Sequence, residues 1–561
     1  MTGPAAPDPD GRPARSALVG RPADLLAAVA VALLGLGAIV GAVQVWRTGW
    51  TPSADQAFIE LRVRDVPGDP PLLGVFSRYG WSHPGPAMFY LLAVPYRLAG
   101  GASEALAVAA LVAQVLVVAV AAFLARRLDR VAAVTVLVAL QVVLLTAGAA
   151  VTRDPWNPYV PLVASGLLVV CAWGAGERRP GASLLLAPTA TVLLQSHAAT
   201  GTLAVAAILV AAVAIWWSGR DPVPSGGLGR PVPWVWLGAG AVVAVVMWLP
   251  PVVAQLTGEP GRIGELFSAG TGVGERAGLL GTVGAFTQSF AAVPFWADPS
   301  SARAPFAWVE PVVPVWLLVP VAGAVVAGRA GHRVLLRGVV VATVCTLAVA
   351  LGVATFEVGE LDGSSVVFGY LAVGLRATAA TTIAIGLAAM LAGSSDRLRE
   401  GVALAGAVVA VALGAAFVVA QTSTATPEPG LGSTVRALGA AVVDAVPAGT
   451  SFVLVDPAGQ PGAEGVALQL ERAGFDVAVS DPSVVTRFGP GRFVDDPSGR
   501  SELLVAAVDR APSVRAEGWT VVGVCPPTDD GSGGVSTSGL VAVRGPAAAG
   551  LGAAGSAGCP R

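Results

Sequence analysis

Only 12% of this chain is charged, so a charge beside a long apolar run is informative. Asp55 and Glu60 lie in the stretch ADQAFIEL just after the first such run, and Arg153-Asp154-Pro-Trp-Asn-Pro-Tyr159 follows the third. A carboxylate held at a membrane edge is partly desolvated, which strengthens its hold on a proton and suits it to general base work. It is equally a ligand type for a divalent cation such as Mg or Mn. Arg376 lies inside the apolar stretch VVFGYLAVGLRATAATTIAIGL. A guanidinium there is costly and matches phosphate oxygens. Arg78, His83, Gln195 and His197 add hydrogen-bonding groups suited to a sugar or phosphate. Three histidines in all are too few for a zinc site built mainly from imidazole.

Each group also has a plainer role. Ser53 followed by Gln56 fits a capping box that starts a helix. Trp156 and Tyr159 are ordinary interface anchors. Gln195-Ser196-His197 fits a turn. Trp248-Leu-Pro-Pro opens the longest polar connection, which runs to about residue 305 and is a candidate lid. Phe286, Gln288, Phe290, Phe295 and Trp296 within it could line a sugar site or rest on lipid.

The elements that must position these residues follow from hydropathy. The chain has 561 residues, 54% of them hydrophobic and 12% charged, against roughly 25% charged residues in an ordinary soluble protein. That composition describes a polytopic membrane protein embedded in a lipid bilayer. A net charge of -2 gives no sign of a nucleic-acid partner. A span needs about 20 apolar residues. The candidates are residues 23–46, 103–124, 131–151, 158–174, 182–195, 198–217, 234–253, 306–327, 338–356, 366–392 and 402–421. Arg12, Arg15 and Arg21 precede the first, which is too long for a signal-peptide core, so it is read as a retained helix with a cytoplasmic N-terminus.

Every even-numbered run is followed by arginines: Arg126, Arg127 and Arg130; Arg178 and Arg179; Arg220 and Arg230; Arg329, Arg333 and Arg337; Arg397 and Arg399. Cytoplasmic loops carry such an excess, which places the acidic alternate loops outside. The short run 86–98, interrupted by Pro95, would invert this pattern if it crossed, so it is read as a surface or re-entrant helix.

Beyond a Thr/Pro-rich linker at 421–430, SFVLVD, FDVAVS, SELLVAAV and TVVGVC read as strands, and GAEGVALQLERAG as an amphipathic helix. The Gly/Ser-rich tail after Pro526 is expected to be unstructured. Cys171 and Cys345 sit in apolar runs as packing residues. Cys525 and Cys559 are placed to pair if that region is outside. The expected architecture is an all-α polytopic membrane protein of about 11 spans with a small C-terminal extracytoplasmic α/β domain. Its parts are a cytoplasmic tail 1–22, a membrane body 23–421 and a C-terminal domain 422–561.

At Asp55 and Glu60, Tyr79-Gly-Trp-Ser-His83-Pro-Gly-Pro86, Asp154-Pro-Trp-Asn-Pro, Gln195 with His197, and Trp248-Leu-Pro-Pro, the sequence resembles the GT-C membrane glycosyltransferases. That group includes protein O-mannosyltransferases and lipid A aminoarabinose transferases, and the sequence resembles more closely actinobacterial membrane proteins of that type. The resemblance covers residues 23–300. It implies a polyprenyl-phosphate-linked sugar donor, an extracytoplasmic acceptor and a site on the outer membrane face. It also implies an acid in the first outer loop, matched by Asp55, and a second in the next, where Asp154 stands. His83-Pro-Gly-Pro resembles the HPP motif of mannosyltransferases. Many members carry a second acid next to the first, where this chain has Gln56, which leaves use of a divalent cation open.

The implied reaction is a single, inverting displacement. Asp55 takes the proton from an acceptor hydroxyl, Asp154 orients Asp55 or the sugar, and Arg376, with Arg78 or His83, stabilises the leaving phosphate. Glu60, Gln195 and His197 are expected to bind substrate. A transporter would instead place polar groups near the membrane midplane, often in repeats. A non-catalytic scaffold would keep the body without turnover.

Overall fold

The computed structural model describes residues 22–77, 81–221, 231–258, 263–265, 275–298, 305–306, 311–361, 364–456, 462–525, 538–551 and 557–558. Its membrane body consists of α1 (Pro22–Thr48), α2 (Ala54–Asp65), α3 (Ala87–Leu98), α4 (Glu104–Arg126), α5 (Arg130–Thr152), α6 (Pro161–Gly176), α7 (Pro180–Ser196), α8 (Gly201–Ser218), α9 (Trp234–Thr257), α10 (Gly278–Ser289), α11 (Leu318–Arg329), α12 (Arg333–Val353), α13 (Gly374–Met390) and α14 (Asp396–Ala420).

Among the described residues, eight helices are long and apolar enough to cross a membrane: α1, α4, α5, α6 with the turn before it, α8 with the turn before it, α9, α12 and α14. The other three expected runs carry shorter helices, α7, α11 and α13. Residues 366–392 are not one span. Strand β3 (Ser364–Phe368), which pairs with β1 (Pro305–Phe306) and β2 (Gly359–Leu361), fills the start of that run, and the helix begins only at Gly374. β-branched Val366 and Val367 favour the strand, and Gly369 ends it. α3, at 12 residues, is about 18 Å long, too short for a hydrocarbon core of about 30 Å.

Burial sorts the helices. The α6 span is 94% buried and α9 only 22%, so α6 is the bundle's centre and α9 a pendant outer helix. Side chains exposed on α9, such as Val242, Val245 and Leu249, fit contact with lipid tails. α9 joins the bundle along α7. There Pro188 leaves the Leu184 carbonyl without its helical donor, and Gly240 packs its backbone on that oxygen. A Cβ at Gly240 would strike it.

The arginine-rich connections gather at one end. Asp24 holds Arg126 and Arg130, Arg130 reaches Glu400, and Asp129 holds Arg399. Arg337 bridges Glu177 at 2.5 Å and Asp221 at 2.9 Å. Gly174 lies near Leu128 and Gly181 near Leu124, so the two clusters share one end of the bundle. Asp55, Asp154 and His197 follow the opposite ends of α1, α5 and α7.

At that opposite end sits the C-terminal domain. It comprises α15 (Pro429–Ala445), α16 (Ala463–Arg472) and a six-stranded mixed sheet of order β5-β4-β6-β8-β7-β9, with β4 Ser451–Val455, β5 Asp476–Val479, β6 Ser501–Ala506, β7 Thr520–Cys525, β8 Gly539–Arg544 and β9 Ala557–Gly558. The four strands and the helix read from sequence are present. The tail is not unstructured throughout. β8 lies in the middle of the sheet, antiparallel to both β6 and β7, because GLVAVR offers apolar side chains to both faces. Cys525 is disulfide-bonded, Cys171 and Cys345 are free, and Cys559 lies outside the described residues.

α2 is the dock for this domain. Ala57 and Leu61 share an apolar cluster with Leu438, Phe452 and Leu470. Arg492 pairs with Asp65 at 3.0 Å and Glu471 at 2.5 Å, and Arg62 pairs with Asp65 at 2.7 Å.

Reporter fusions should give a cytoplasmic signal at Arg127 and an extracytoplasmic one at Asp154. An extracytoplasmic signal at Arg127 would overturn the alternation.

Candidate active site

Asp55 opens α2. The chain turns out of α1 at Gly49 (φ +70°) and enters α2 through Ala54 at φ +44°, a left-handed conformation that costs an L-residue roughly 1–2 kcal/mol. The expected capping box does not form. Ser53 occupies the N-cap position with an extended backbone but makes no side-chain cap bond, and its buried Oγ has no hydrogen-bond partner. Gln56 reaches instead across the bundle, its Nε2 3.3 Å from both carboxylate oxygens of Asp154.

Asp154 follows α5 in a turn that its own side chain closes. Oδ1 accepts the Trp156 amide at 3.0 Å, the Asx-turn that Asp favours before Pro-containing loops. This aims the Trp156 indole at the first loop, where Nε1 donates to Asp55 Oδ2 at 2.8 Å. The two acids, 99 positions apart in sequence, therefore share one hydrogen-bonded unit: Asp55, Trp156, Asp154 and Gln56. Asp154 is buried and Asp55 half-buried. Tyr159 and Tyr370 pack their rings against Trp156 at 5.2 and 5.0 Å. Trp156 is the residue that sequence reasoning passed over as an interface anchor. Its place two residues after an Asp, where an Asx-turn fixes it, was the available signal.

Gln195, His83 and His197 knit α3, α7 and α9. Trp248-Leu-Pro-Pro does not open a loop; it lies within α9, which continues to Thr257. Pro251 has no N–H for the Met247 carbonyl, and Gln195 Nε2 donates to it at 2.8 Å. Gln195 Oε1 accepts the first-turn amide of Ala87 at 3.2 Å. Gly85 passes so close to Gln195 that no Cβ fits, which explains the glycine in His83-Pro-Gly-Pro. His83 Nδ1 accepts the Ala198 amide at 3.0 Å, and its ring lies 5.2 Å from those of Trp81 and His197. Burial lowers His83 well below the ordinary imidazole value, with His197 adding to it. Burial takes His197 down to about 4, opposed by the Tyr370 backbone. Both rings are neutral near pH 7.

Arg376 is fully buried in the first turn of α13, not in mid-span. Its guanidinium lies 5.4 Å from the Phe295 ring, and Tyr159 and Asp298 bear on it electrostatically. Residues 369–372, which lead into α13, pack on the 157–159 turn, so Arg376 belongs to the same end as Asp154. Glu60 is sealed on the other side of α2. It accepts Tyr96 Oη at 2.9 Å, Ser103 Oγ at 2.7 Å and Arg472 of the C-terminal domain. Arg78 lies outside the described residues. Among those described, no group of three His, Cys, Asp or Glu side chains is placed to hold a metal ion. The donors already on Asp154 leave that carboxylate little capacity for Mg or Mn. A cavity of about 190 Å³ lies between Thr48–Thr51 and Thr424–Arg436; none of the site residues read from sequence lines it.

No protein-family model and no curated protein match the chain. Solved structures do, among them two of ArnT from Cupriavidus metallidurans. The apo structure aligns with a TM-score of 0.51 at 14% identity, over 91% of this chain and 97% of that one. The structure bound to undecaprenyl phosphate aligns with a TM-score of 0.52 at 12% identity over the same shares. The chain shares the fold of ArnT.

The two histidines set an acid limit. A buried imidazole with a lowered pKa binds its proton less readily than the unfolded chain does, so its stabilisation is complete above about pH 6.5 and fades as pH falls toward 4. Thermal melts in detergent should be flat above pH 7 and fall below pH 6. His197→Gln should reduce that fall, His197 accounting for up to roughly 3 kcal/mol of it.

Proposed function

We propose that this chain is a membrane glycosyltransferase that moves a sugar from a polyprenyl-phosphate carrier to an extracytoplasmic acceptor. The observation that carries the reading is the Asp55–Trp156–Asp154 unit at one end of a bundle that shares its fold with ArnT over nearly its whole length. One of those ArnT structures holds undecaprenyl phosphate, and a carrier of that chemical class is the proposed donor here. In this reading residues 23–421 form the transferase body and 422–561 the second domain. The arginine-rich end faces the cytoplasm and the acid-bearing end faces out.

Asp55 is the base. Trp156 occupies its Oδ2 and fixes the carboxylate plane, which leaves Oδ1 to take a proton from an acceptor hydroxyl as that oxygen attacks the anomeric carbon. The acceptor oxygen gains the glycosidic bond and the bond to the carrier phosphate breaks. One displacement inverts the configuration. Asp154 acts through Trp156 and Gln56, holding the indole that holds Asp55. The departing phosphate leaves as an anion and needs no proton. Arg376 suits that charge by chemistry and place: it is buried, at the N-terminal turn of α13, where the helix dipole also favours an anion. His83 and His197, neutral and engaged in the scaffold, support the site wall.

The test is release of undecaprenyl phosphate from a panel of undecaprenyl-phosphoryl sugars by the full-length protein in nanodiscs. Asp55→Asn should reduce turnover by about 10²–10⁴-fold, the range of a lost general base. Asp154→Asn should reduce it less, through misplacement of Trp156. Turnover that survives both substitutions, or none of any donor by the unaltered protein, sinks the assignment.

A further inference from the structure

The C-terminal domain places a carboxylate beside Asp55. Glu464 lies in the first turn of α16, whose N-terminus abuts the start of α2. A Cβ at the adjacent Gly465 would sit 3.1 Å from the Pro52 carbonyl, and Ala463 and Val466 pack in one cluster with Ala57 and Leu61. Glu464 is 1% exposed. One oxygen is paired with Arg487, and Oε2 has no hydrogen-bond partner. A buried carboxylate with an open oxygen is costly to keep. Burial pushes the Glu464 carboxyl up; Arg487 opposes this, and the charge of Asp55 adds to it.

We infer that the C-terminal domain is part of the reaction centre, with the Glu464–Arg487 pair acting as a positioning element that sets the charge felt by Asp55. The inference rests on the reading of Asp55 as the base. Glu464, from α16, bears on Asp55 electrostatically. Arg487, which pairs with it, comes from the helical turn Val485–Phe488 that also packs on α2, and Asp154, from the turn after α5, is joined to Asp55 through Trp156. Farther along α2, Arg62, Asp65, Arg492 and Glu471 are engaged with one another. The pair is nearly neutral as a whole, so its two members act on Asp55 with opposite sign. Removing either one unmasks the other.

The experiment reads Asp55 directly. A water-soluble carbodiimide with glycine methyl ester modifies carboxyls in their protonated form. The rate of Asp55 labelling, followed by quantitative mass spectrometry on the full-length protein in detergent, therefore traces its titration without any substrate. Glu464→Gln leaves Arg487 uncompensated and should move the labelling midpoint down by about 0.5–1 pH unit, the scale of one nearby charge in a partly solvated site. Arg487→Gln should move it up, and Glu464→Asp should restore it. Where turnover is measurable, the acid limb of its pH profile should move the same way. A midpoint unchanged in both variants, or shifted in the same direction by Glu464→Gln and Glu464→Asp, overturns the inference. If the midpoints move in opposite directions but no undecaprenyl-phosphoryl sugar is turned over by the unaltered protein, the coupling stands and the transferase reading falls.

Discussion

Arg153 is the fixed point of the acid-bearing end. Its guanidinium is wholly buried and gives Nε to the Gln421 side chain at 2.9 Å, Nη2 to the Gln421 carbonyl at 2.7 Å, and Nη1 to the carbonyls of Ser423 and Ala425. Gln421 in turn donates to Thr152 Oγ1. A single side chain thus ties the end of α5 to the exit of α14 and to the tether of the C-terminal domain. Hydrogen bonds from a charged donor contribute roughly 1.5–3 kcal/mol each, and here they offset the desolvation of a cation. Asp154 is the next residue in the chain, so its position is inherited from this anchor. Trp156 and Asp55 take theirs from Asp154. On its far side the anchor holds the tether whose domain rests on α2. Both routes to Asp55, through the indole and through the dock, start from Arg153.

A second constraint governs the wall around the acids. Apolar helices offer few polar contacts, so their proline-freed carbonyls become the points of attachment. Pro188 frees one that receives Gly240, and Pro251 frees one that receives Gln195. The contacts between α7 and α9 thus both end on main-chain carbonyls, one met by the backbone at Gly240 and the other by the side chain of Gln195.

This explains which parts of the molecule were legible in the sequence. Hydropathy and the alternation of arginine-rich connections gave the helices and their two ends, because bilayer thickness and charge asymmetry act on whole segments. Alternating apolar residues gave β4 to β7. Asp55 and Asp154 were legible as acids beside apolar runs, and the structure joins them through one indole. What escaped were residues whose local pattern is overruled by a distant partner. Ser53 and Gln56 spell a helix cap, yet the amide of Gln56 goes to Asp154. Trp248-Leu-Pro-Pro spells a stop, yet Gln195 satisfies the carbonyl that Pro251 strands and the helix continues. Arg376 looks central in an apolar run, yet the run divides into a strand and a helix and leaves it in a first turn. Gly539–Arg544 follows a stretch of loop composition, and its neighbours on both sides make it a central strand.

The link between Gln195 and Pro251 also bears on how such a chain can change over generations. A residue with an N–H at position 251 would satisfy the Met247 carbonyl from within α9, and the amide of Gln195 would then lose its purpose there. Conversely, an apolar residue at 195 would strand the Met247 carbonyl as long as 251 is proline, and would take the acceptor from the Ala87 amide in either case. Proline at 251 is thus tied to a side-chain donor at 195, across a whole helix and a connection. Among descendants of this fold the proline should not be found without that donor, while the exposed valines of α9 drift freely.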